Sequence, residues 1–285
     1  MLNSPSTNPH YWDELDTNLE VLKDINNNTS GKLSQQEKTD RINNSIVDLT
    51  IPIKRPPMVI SGGLDMYGEE IPVMTEGNFS AICGVSKSRK SFFKSALMAT
   101  YTGAEFGKFQ GHRKTNKYII DVDTEQSKYH CQRVFKRNEL MAGYYSMYVP
   151  VSLREYEPKD RLEILYDIIE LYKGNIGLIS IDGYADLIED FNNIDQSNKV
   201  INAMMKWTTE ENCHITGIIH LNPSLNNRKP QGHLGSFILR KCESVIFVEK
   251  DETDINKSNV NCTYSRNIPF DDLSFKIDNG LPKEV

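Results

Sequence analysis

An eight-residue segment, G-V-S-K-S-R-K-S at 84–91, carries the residue types that bind phosphate. It follows the apolar run F-S-A-I-C at 79–83 and precedes the helical pattern F-F-K-S-A-L-M, so it would join a strand to a helix. Such a loop points backbone N–H groups at phosphate oxygens, while a lysine supplies charge and a hydroxyl coordinates Mg²⁺. The pattern therefore predicts a phosphate-binding loop formed by Gly84, Val85, Ser86, Lys87, Ser88, Arg89, Lys90 and Ser91.

Within this loop Lys90 is the predicted phosphate-binding cation and Ser91 the predicted metal ligand. Arg89 departs from the pattern G-x-x-x-x-G-K-[ST], because it stands where the second glycine is usual. We expect its backbone to keep a negative φ and its Cβ to point away from the phosphates. The alternative is a helix that begins with a solvated basic face, but the strand before the segment and the helix after it favour nucleotide binding.

Carboxylates end two later apolar runs. The segment D-V-D-T-E-Q-S at 121–127 places Glu125 just beyond a predicted strand, where it would activate the water that attacks a γ-phosphate. The run L-I-S-I-D-G at 178–183 ends in Asp182, which would hold the magnesium shell together with Ser91. The alternative is that Asp121, Asp123 and Glu125 are only polar strand-end and helix-capping residues.

Another apolar run ends in H-L-N at 220–222, and a polar segment follows at 223–235. We interpret His220 and Asn222 as sensors of the γ-phosphate that move the following loop. The alternative for His220 is a histidine satisfied within the core or at a strand edge. Long loops without structure of their own are typically functional or disordered, and this one carries the basic residues Arg228 and Lys229.

The elements that must position these residues alternate between short apolar runs and amphipathic helices, which predicts an α/β fold with a mostly parallel sheet flanked by helices. The predicted strands are 79–83, 118–122, 147–151, 177–181, 215–219 and 244–248. The predicted helices are 90–102, 127–141, 158–173 and 196–210. The segments 259–265 and 273–277 predict an antiparallel hairpin at the sheet edge.

The first 57 residues differ from the rest and predict a small helical arm with a linker, so that the domain spans 58–285. Ser34 and Glu37 form a capping-box pattern for one short helix. An earlier apolar stripe at helical spacing predicts another, which would dock onto a neighbouring subunit; it consists of Trp12, Leu15, Leu19 and Leu22. The prolines in 51–57 keep that stretch extended.

Composition narrows the function classes. The net charge is −6, so any contact with nucleic acid must come from a local basic surface. The apolar runs are too short for a membrane span, and the first residues lack the pattern of an export signal, so we expect a cytoplasmic protein. The 5 cysteines are scattered and never in C-x-x-C spacing, which indicates reduced, mostly buried thiols.

Taken with their spacing, the loop at 84–91, D-T-E at 123–125, L-I-S-I-D-G at 178–183 and H-L-N at 220–222 resemble the RecA-like P-loop ATPases. The resemblance covers about 75–280 and is strongest to RepA-type replicative helicases of plasmids, phages and mobile elements. It implies ATP and Mg²⁺ as cofactors, Glu125 as the catalytic glutamate and Asp182 as the Walker B residue.

The resemblance also implies a homo-oligomeric ring or filament with ATP at subunit interfaces. A neighbour would supply a basic finger, for which Lys241 and Arg266 are the candidates. The segment G-H-L-G-S at 232–236 would contact single-stranded nucleic acid in the central channel, through Gly232 and His233 beside Arg228 and Lys229.

Three functions are open to this sequence. The first is an ATP-hydrolysing motor on nucleic acid, helicase-like, in the replication of a plasmid or mobile element. The second is an ATP-gated regulatory or assembly module with little turnover, which Arg89 favours and Glu125 disfavours. The third is a small-molecule kinase, which would need an arginine-rich lid, whereas the arginines lie scattered along predicted helices, at Arg133, Arg137, Arg154 and Arg161.

Overall fold

The computed structural model of the chain describes residues 33–222 and 229–285. The chain divides into two compact units between Lys54 and Arg55. In the first unit, helix α1 (Gln35–Ser45) begins with the predicted capping box. The Ser34 hydroxyl accepts a 3.2 Å hydrogen bond from the Glu37 N–H, and the Glu37 carboxylate accepts a 2.7 Å bond from the Ser34 N–H. The stripe from Trp12 to Leu22 lies outside the described residues.

The second unit contains the remaining described elements. Its strands in chain order are β1 (Met58–Leu64), β2 (Glu70–Thr75), β3 (Asn78–Gly84), β4 (Phe109–Gly111), β5 (Tyr118–Asp123), β6 (Tyr148–Ser152), β7 (Ile176–Asp182), β8 (His214–His220), β9 (Ser244–Lys250), β10 (Lys257–Ser265), β11 (Leu273–Asp278) and β12 (Leu281–Glu284). Its α-helices are α2 (Lys90–Thr102), α3 (Lys128–Ala142), α4 (Pro158–Leu171), α5 (Ile194–Glu211) and α6 (Gly232–Lys241).

A sheet of nine strands in the order β12-β11-β10-β9-β3-β8-β7-β5-β6 forms the centre of this unit. The six strands from β9 to β6 run parallel, and they correspond to the six predicted strands. The α/β class is therefore confirmed. The predicted hairpin of β10 and β11 is also present, but β12 continues the sheet and forms its edge.

Helices cover both faces of this sheet. On one face α4, α5 and α6 bury apolar side chains such as Leu165, Met204 and Ile238 in a common core. On the other face Phe93 and Leu97 of α2 pack into a second core, and α3 packs beside α2. Because five of the six parallel strands are almost entirely buried, their sequences are mostly apolar rather than alternating; β6, at the end of the sheet, is only partly buried.

A small antiparallel sheet, β2-β1-β4, completes the second core, and the sequence did not predict it. Glycines in β1 and Pro72 in β2 are residues that strands usually avoid, which obscured both. At Gly62 an added Cβ would lie 2.7 Å from a methyl of Val73, so the close approach of the two strands requires glycine there.

The predicted polar loop at 223–235 is shorter than expected, because α6 begins at Gly232. Leu234 and Ile238, spaced i and i+4, are buried against α5 and stabilise this helix. The two glycines in its first turn concealed the pattern, since glycine disfavours helix. At Gly235 an added Cβ would lie 2.5 Å from the carbonyl of Pro230, so glycine permits the tight entry.

All five cysteines are free and buried, as predicted. In the parts of the chain that the structure describes, we find no helix long and apolar enough to cross a membrane.

Candidate nucleotide-binding site

The strand register brings the predicted functional residues to one edge of the sheet. Gly84 at the end of β3 pairs with His220 at the end of β8. Asp123 at the end of β5 pairs with Asp182 at the end of β7, which in turn pairs with Ile218 of β8. Parallel strands present their carboxyl ends on the same side, so residues distant in sequence meet around one cavity.

The loop after β3 wraps around the ammonium of Lys90. This ammonium donates hydrogen bonds of 2.9 Å to the Gly84 carbonyl and 2.8 Å to the Val85 carbonyl. At Gly84 an added Cβ would lie 2.3 Å from the Val248 carbonyl, so no larger residue fits there. The Ser88 hydroxyl is buried and has no hydrogen-bond partner in the described structure. The loop thus combines a buried cation with a free hydroxyl.

Arg89 differs from the prediction in its backbone. Its φ is +74°, in the left-handed region, whereas we expected a negative φ. The loop must turn there into α2, and glycine usually makes such a turn because it has no Cβ. The side chain points out of the loop, as expected, and hydrogen-bonds to the Ile255 carbonyl (2.6 Å), the Lys257 carbonyl (3.2 Å) and the Ser258 hydroxyl (2.9 Å).

Lys90 also approaches His220, with 3.3 Å between its Nζ and Nδ1 of the ring. Burial lowers the pKa of His220, and the nearby ammonium lowers it further. Burial likewise lowers the pKa of Lys90, which Asp182 and Glu125 counteract. At neutral pH the imidazole is therefore uncharged, and its Nδ1 can accept a hydrogen bond from the ammonium.

Ser91 and Asp182 form the predicted oxygen pair, since the serine hydroxyl donates a 2.8 Å hydrogen bond to Oδ2 of Asp182. Burial raises the pKa of Asp182, and the neighbouring Lys94 ammonium opposes that effect. Across residues 33–222 and 229–285 there is no cluster of three histidine, cysteine, aspartate or glutamate side chains that would bind a metal ion by itself. A cation here would need further oxygen ligands.

Asp123 and Glu125 have different surroundings although they are two residues apart. The buried Asp123 carboxylate accepts hydrogen bonds from the N–H groups of Glu125 (3.0 Å) and Gln126 (2.7 Å), so it fixes the turn after β5. The Glu125 side chain is exposed to the cavity. Its pKa is raised by loss of hydration first, and then by the carboxylates of Asp182, Asp186 and Asp123.

Thr124 links this turn to the end of β7. Its hydroxyl donates to the Asp182 carbonyl (2.8 Å) and lies 2.7 Å from Oδ2 of Asp186, while it accepts a hydrogen bond from the Gly183 N–H. No pattern in the sequence indicates this contact, because a threonine after a strand is common. The link fixes the position of Glu125 relative to Asp182.

Together these residues surround a cavity of about 480 Å³. Five of its lining residues were not predicted from the sequence as site residues. They come from α2, from the turn after β5, from α3 and from β8, and they are Phe92, Gln126, Val134, Arg137 and Ile218. No local pattern marks them, since their shared position depends on how α3 packs against α2 and on the order of the strands in the sheet.

Lys94 is a further buried residue that the sequence analysis did not assign to the site. Its ammonium lies 2.8 Å from Oδ1 of Asp121 and 3.8 Å from Oδ2 of Asp182. The Tyr148 hydroxyl donates a 2.7 Å hydrogen bond to the other oxygen of Asp121. Lys94 follows Lys90 by four residues on α2. This spacing puts both lysines on the same face of the helix, and it is the sequence pattern from which a place for Lys94 near the site could have been predicted.

The predicted nucleic-acid contacts lie at the end of β8 and at the start of α6. The Asn222 N–H donates a 3.0 Å hydrogen bond to the backbone carbonyl of Lys229, whose side chain is exposed. This bond joins the two ends of the intervening segment. Gly232 and His233 belong to the first turn of α6 rather than to a loop. Arg228 lies outside the described residues.

The two candidates for a basic finger, Lys241 and Arg266, lie together near the start of the parallel strand β9. The predicted phosphate-binding loop lies at the other end of the parallel strands, where β3 ends. The Arg266 guanidinium donates a 2.8 Å hydrogen bond to the Lys241 carbonyl. Ser265 pairs with Ser244 at the start of β9, which runs parallel to β3. Neither side chain lines the cavity described above.

No protein-family model and no curated protein matches the sequence. Solved structures do match it. A RadB recombinase aligns with 75% of this chain and 93% of its own, at a TM-score of 0.54 and 13% identity. The KaiC-like protein PH0186 from the hyperthermophilic archaeon Pyrococcus horikoshii OT3 aligns with 82% of this chain and 100% of its own, at a TM-score of 0.52 and 16% identity. At such identities the likeness concerns the fold, and the chain has the RecA-like α/β fold.

Proposed function

We propose that the chain is an ATPase that hydrolyses ATP with Mg²⁺ and acts on nucleic acid. One observation carries this proposal: a lysine inside a phosphate-binding loop, a serine–aspartate oxygen pair and a glutamate with a raised pKa line the same cavity. Each is the residue type that P-loop nucleotide hydrolysis uses in that role. The RecA-like fold supports the same reaction class.

The cavity residues fit a magnesium nucleotide. Magnesium prefers oxygen ligands, and it usually takes one or two from the protein and the others from phosphates and water. Ser91 and Asp182, joined by their 2.8 Å hydrogen bond, are suited to hold it. The Lys90 ammonium would leave the loop carbonyls for the phosphates, and the unpartnered Ser88 hydroxyl adds a donor in the loop. Bound Mg²⁺ would neutralise phosphate charge.

The chemical step assigned to this chain is proton removal from water by Glu125. The raised pKa of this carboxyl makes its ionised form a stronger base than an ordinary glutamate. The link from Thr124 to Asp182 keeps this base at a fixed place relative to the metal ligand. His220, 3.3 Å from Lys90, and Asn222 at the base of the following loop would sense the γ-phosphate.

We further propose a helicase-like role in replication of a plasmid or mobile element, with subunits forming a ring or filament. Single-stranded nucleic acid would bind near four residues that follow β8 in the sequence, Arg228, Lys229, Gly232 and His233. A basic finger, Lys241 or Arg266, would reach the ATP of a neighbouring subunit. Their place at the other end of the parallel strands from their own cavity supports action across an interface.

The alternative is an ATP-gated regulatory or assembly module with little turnover. The left-handed Arg89 favours it, because three hydrogen bonds tie this loop residue to β10 and the turn before it. A loop fixed in this way would bind nucleotide but would adjust poorly to the geometry of the transition state.

Steady-state ATP hydrolysis with and without single-stranded DNA separates these functions. A motor on nucleic acid hydrolyses ATP faster when DNA is added, whereas the regulatory module binds ATP and shows no stimulation. DNA affinity is measured at 50 and 200 mM salt, with the double variant Arg228→Ala/Lys229→Ala compared with the parent. Binding that weakens with salt and with this variant supports the proposed contact. Absence of hydrolysis under both conditions contradicts the ATPase.

A further inference from the structure

Arg137 lines the cavity from α3 and is poorly paired for a partly buried cation. Its Nη1 is sealed from solvent and has no hydrogen-bond partner among the described residues. The guanidinium lies over the ring of Phe92, with 3.7 Å between its Cζ and the ring centroid. A cation–π contact compensates only part of the cost of removing an arginine from water.

This arginine remains charged at neutral pH. Burial lowers the pKa of its guanidinium to about 10, and the neighbouring Arg133 contributes in the same direction. The Asp182 carboxylate acts in the opposite direction, but the second positive charge nearby still adds to the cost of holding the guanidinium in a partly buried position. A side chain that is costly in the free protein and that lines a ligand cavity is typical of a binding residue, because functional sites retain features that stability disfavours.

The position of Arg137 indicates which part of a nucleotide it would contact. It is the tenth residue of α3, so the helix carries it about 14 Å beyond Lys128, whereas Glu125 precedes the helix. We therefore expect Arg137 to contact a part of the nucleotide other than the γ-phosphate, on which Glu125 would act. Phe92, its platform, directly follows Ser91, on the side of the loop that receives the α- and β-phosphates.

We propose that Arg137 binds the α-phosphate of a nucleoside di- or triphosphate, while its guanidinium stays packed over the ring of Phe92. This inference rests on the proposed nucleotide site. Arginine donates two parallel hydrogen bonds to phosphate oxygens, which suits it to this task. Contact with the α-phosphate retains ADP as well as ATP, and it does not read the base.

The test compares Arg137→Met with the parent in titrations with ATP, ADP and GDP. Loss of a charge-assisted contact to the α-phosphate should weaken all three by the same factor, about ten- to hundredfold. Arg137→Lys should restore part of the affinity, since it retains charge without the planar fork. The control is Arg133→Met, an exposed arginine of the same helix, which should change affinity by less than about twofold.

Thermal unfolding of the free protein separates a binding role from a structural one. If the guanidinium serves a ligand, Arg137→Met leaves the Tm unchanged or raises it, because methionine keeps an apolar contact with Phe92 and removes an unpaired donor. A lower Tm with unchanged affinities would mean that the arginine is a structural clamp, which overturns the inference.

Each remaining outcome also has a definite meaning. Loss of affinity confined to ATP would place Arg137 on the γ-phosphate, and a loss that differs between ADP and GDP would place it on the base; both overturn the inference. A parent protein that binds all three nucleotides while Arg137→Met binds them equally well overturns the inference alone. A parent that binds none of them contradicts the proposed function as well.

Discussion

The guanidinium of Arg89 and the hydroxyl of Ser258 are 2.9 Å apart, and this contact ties the phosphate-binding loop to β10. The same hydroxyl donates a 3.3 Å hydrogen bond to the Ser88 carbonyl, so Ser258 contacts two successive loop residues. Ser258 is fully buried. A residue in the left-handed conformation, Arg89, is thus held there by contacts that a glycine could not make.

Two replacements of Arg89 separate the destabilisation by its left-handed backbone from the stabilisation by its side-chain hydrogen bonds. Arg89→Ala loses three hydrogen bonds and keeps the left-handed φ, so it should lower the free energy of unfolding by about 1–3 kcal/mol. Arg89→Gly loses the same bonds but relieves the strain, and it should be about 1 kcal/mol more stable than the alanine variant. Denaturant unfolding measures both values.

Lys87 is the matched control, because it is exposed and also left-handed, with a φ of +63°. The free energy of unfolding of Lys87→Ala should remain within about 0.5 kcal/mol of the parent, since no buried contact is lost.

Nucleotide affinity of Arg89→Gly should stay within about tenfold of the parent, because the side chain points out of the loop. A much larger loss of affinity would mean that the guanidinium is itself a phosphate ligand.

Lys90 and Glu125 should affect different steps of the reaction. Lys90→Ala removes the ammonium that we propose binds phosphate, and it should weaken ATP binding by at least about a hundredfold. Glu125→Gln keeps the shape and should bind ATP like the parent, while kcat falls by about 10²–10⁴-fold. Equilibrium titration and single-turnover hydrolysis measure the two effects separately. Tight ATP binding by Lys90→Ala would contradict the assignment of the loop.

The raised pKa of Glu125 predicts how hydrolysis depends on pH. The base works only when ionised, so kcat should be low in acid and rise to a plateau as pH passes its folded-state pKa, which lies above the ordinary glutamate value. The charged groups around this carboxyl are Asp182, Asp186 and Asp123, which raise its pKa, and Lys90, which lowers it. A kcat profile from pH 4.5 to 8 locates the acid limb.

The variant Asp186→Asn tests whether the acid limb of the kcat profile reports the ionisation of Glu125. Removing one neighbouring negative charge should lower the pKa of Glu125 and move the acid limb to lower pH. Asp190→Asn makes the same change of charge at an exposed position and should leave the limb unchanged. An acid limb that moves equally in both variants would mean that another group limits the rate.

The sequence predicted the parallel sheet well, because each of its central strands is an apolar run and each is followed by a helical or polar segment. It failed for β1 and β2, whose glycines and proline are selected by close packing rather than by strand propensity. It also missed α6, because Gly232 and Gly235 serve local backbone requirements that oppose the helical pattern. In both places tertiary packing outweighs local preference.

The candidate site was predictable where a residue type follows a strand end, as with Lys90, Asp182 and Glu125. Lys94 and Arg137 were not, because their roles depend on which helices face the cavity. The backbone of Arg89 was wrongly predicted, since a local rule against left-handed arginine does not include the distant strand β10 that stabilises it.

The buried Lys94 ammonium should be essential for stability. Lys94→Met leaves the carboxylates of Asp121 and Asp182 without their buried counter-ion, and it should lower the free energy of unfolding by about 3–5 kcal/mol. Adding Asp121→Asn should recover part of this loss, because the amide still accepts the hydrogen bond from Tyr148 and only Asp182 then lacks a counter-ion. The control Lys173→Met removes an exposed ion pair and should cost less than about 1 kcal/mol.

The effect of pH distinguishes an electrostatic cause from a cavity left by the shorter side chain. Lys94 holds down the pKa of Asp182, which burial already raises, so its removal raises that pKa further. A carboxyl whose pKa is higher in the folded than in the unfolded state stabilises the fold at low pH, and that contribution is lost as pH rises through the folded-state value. The stability difference between parent and Lys94→Met should therefore be smaller at pH 5 than at pH 8 in urea unfolding. A difference that is equal at both values would attribute the loss to packing instead.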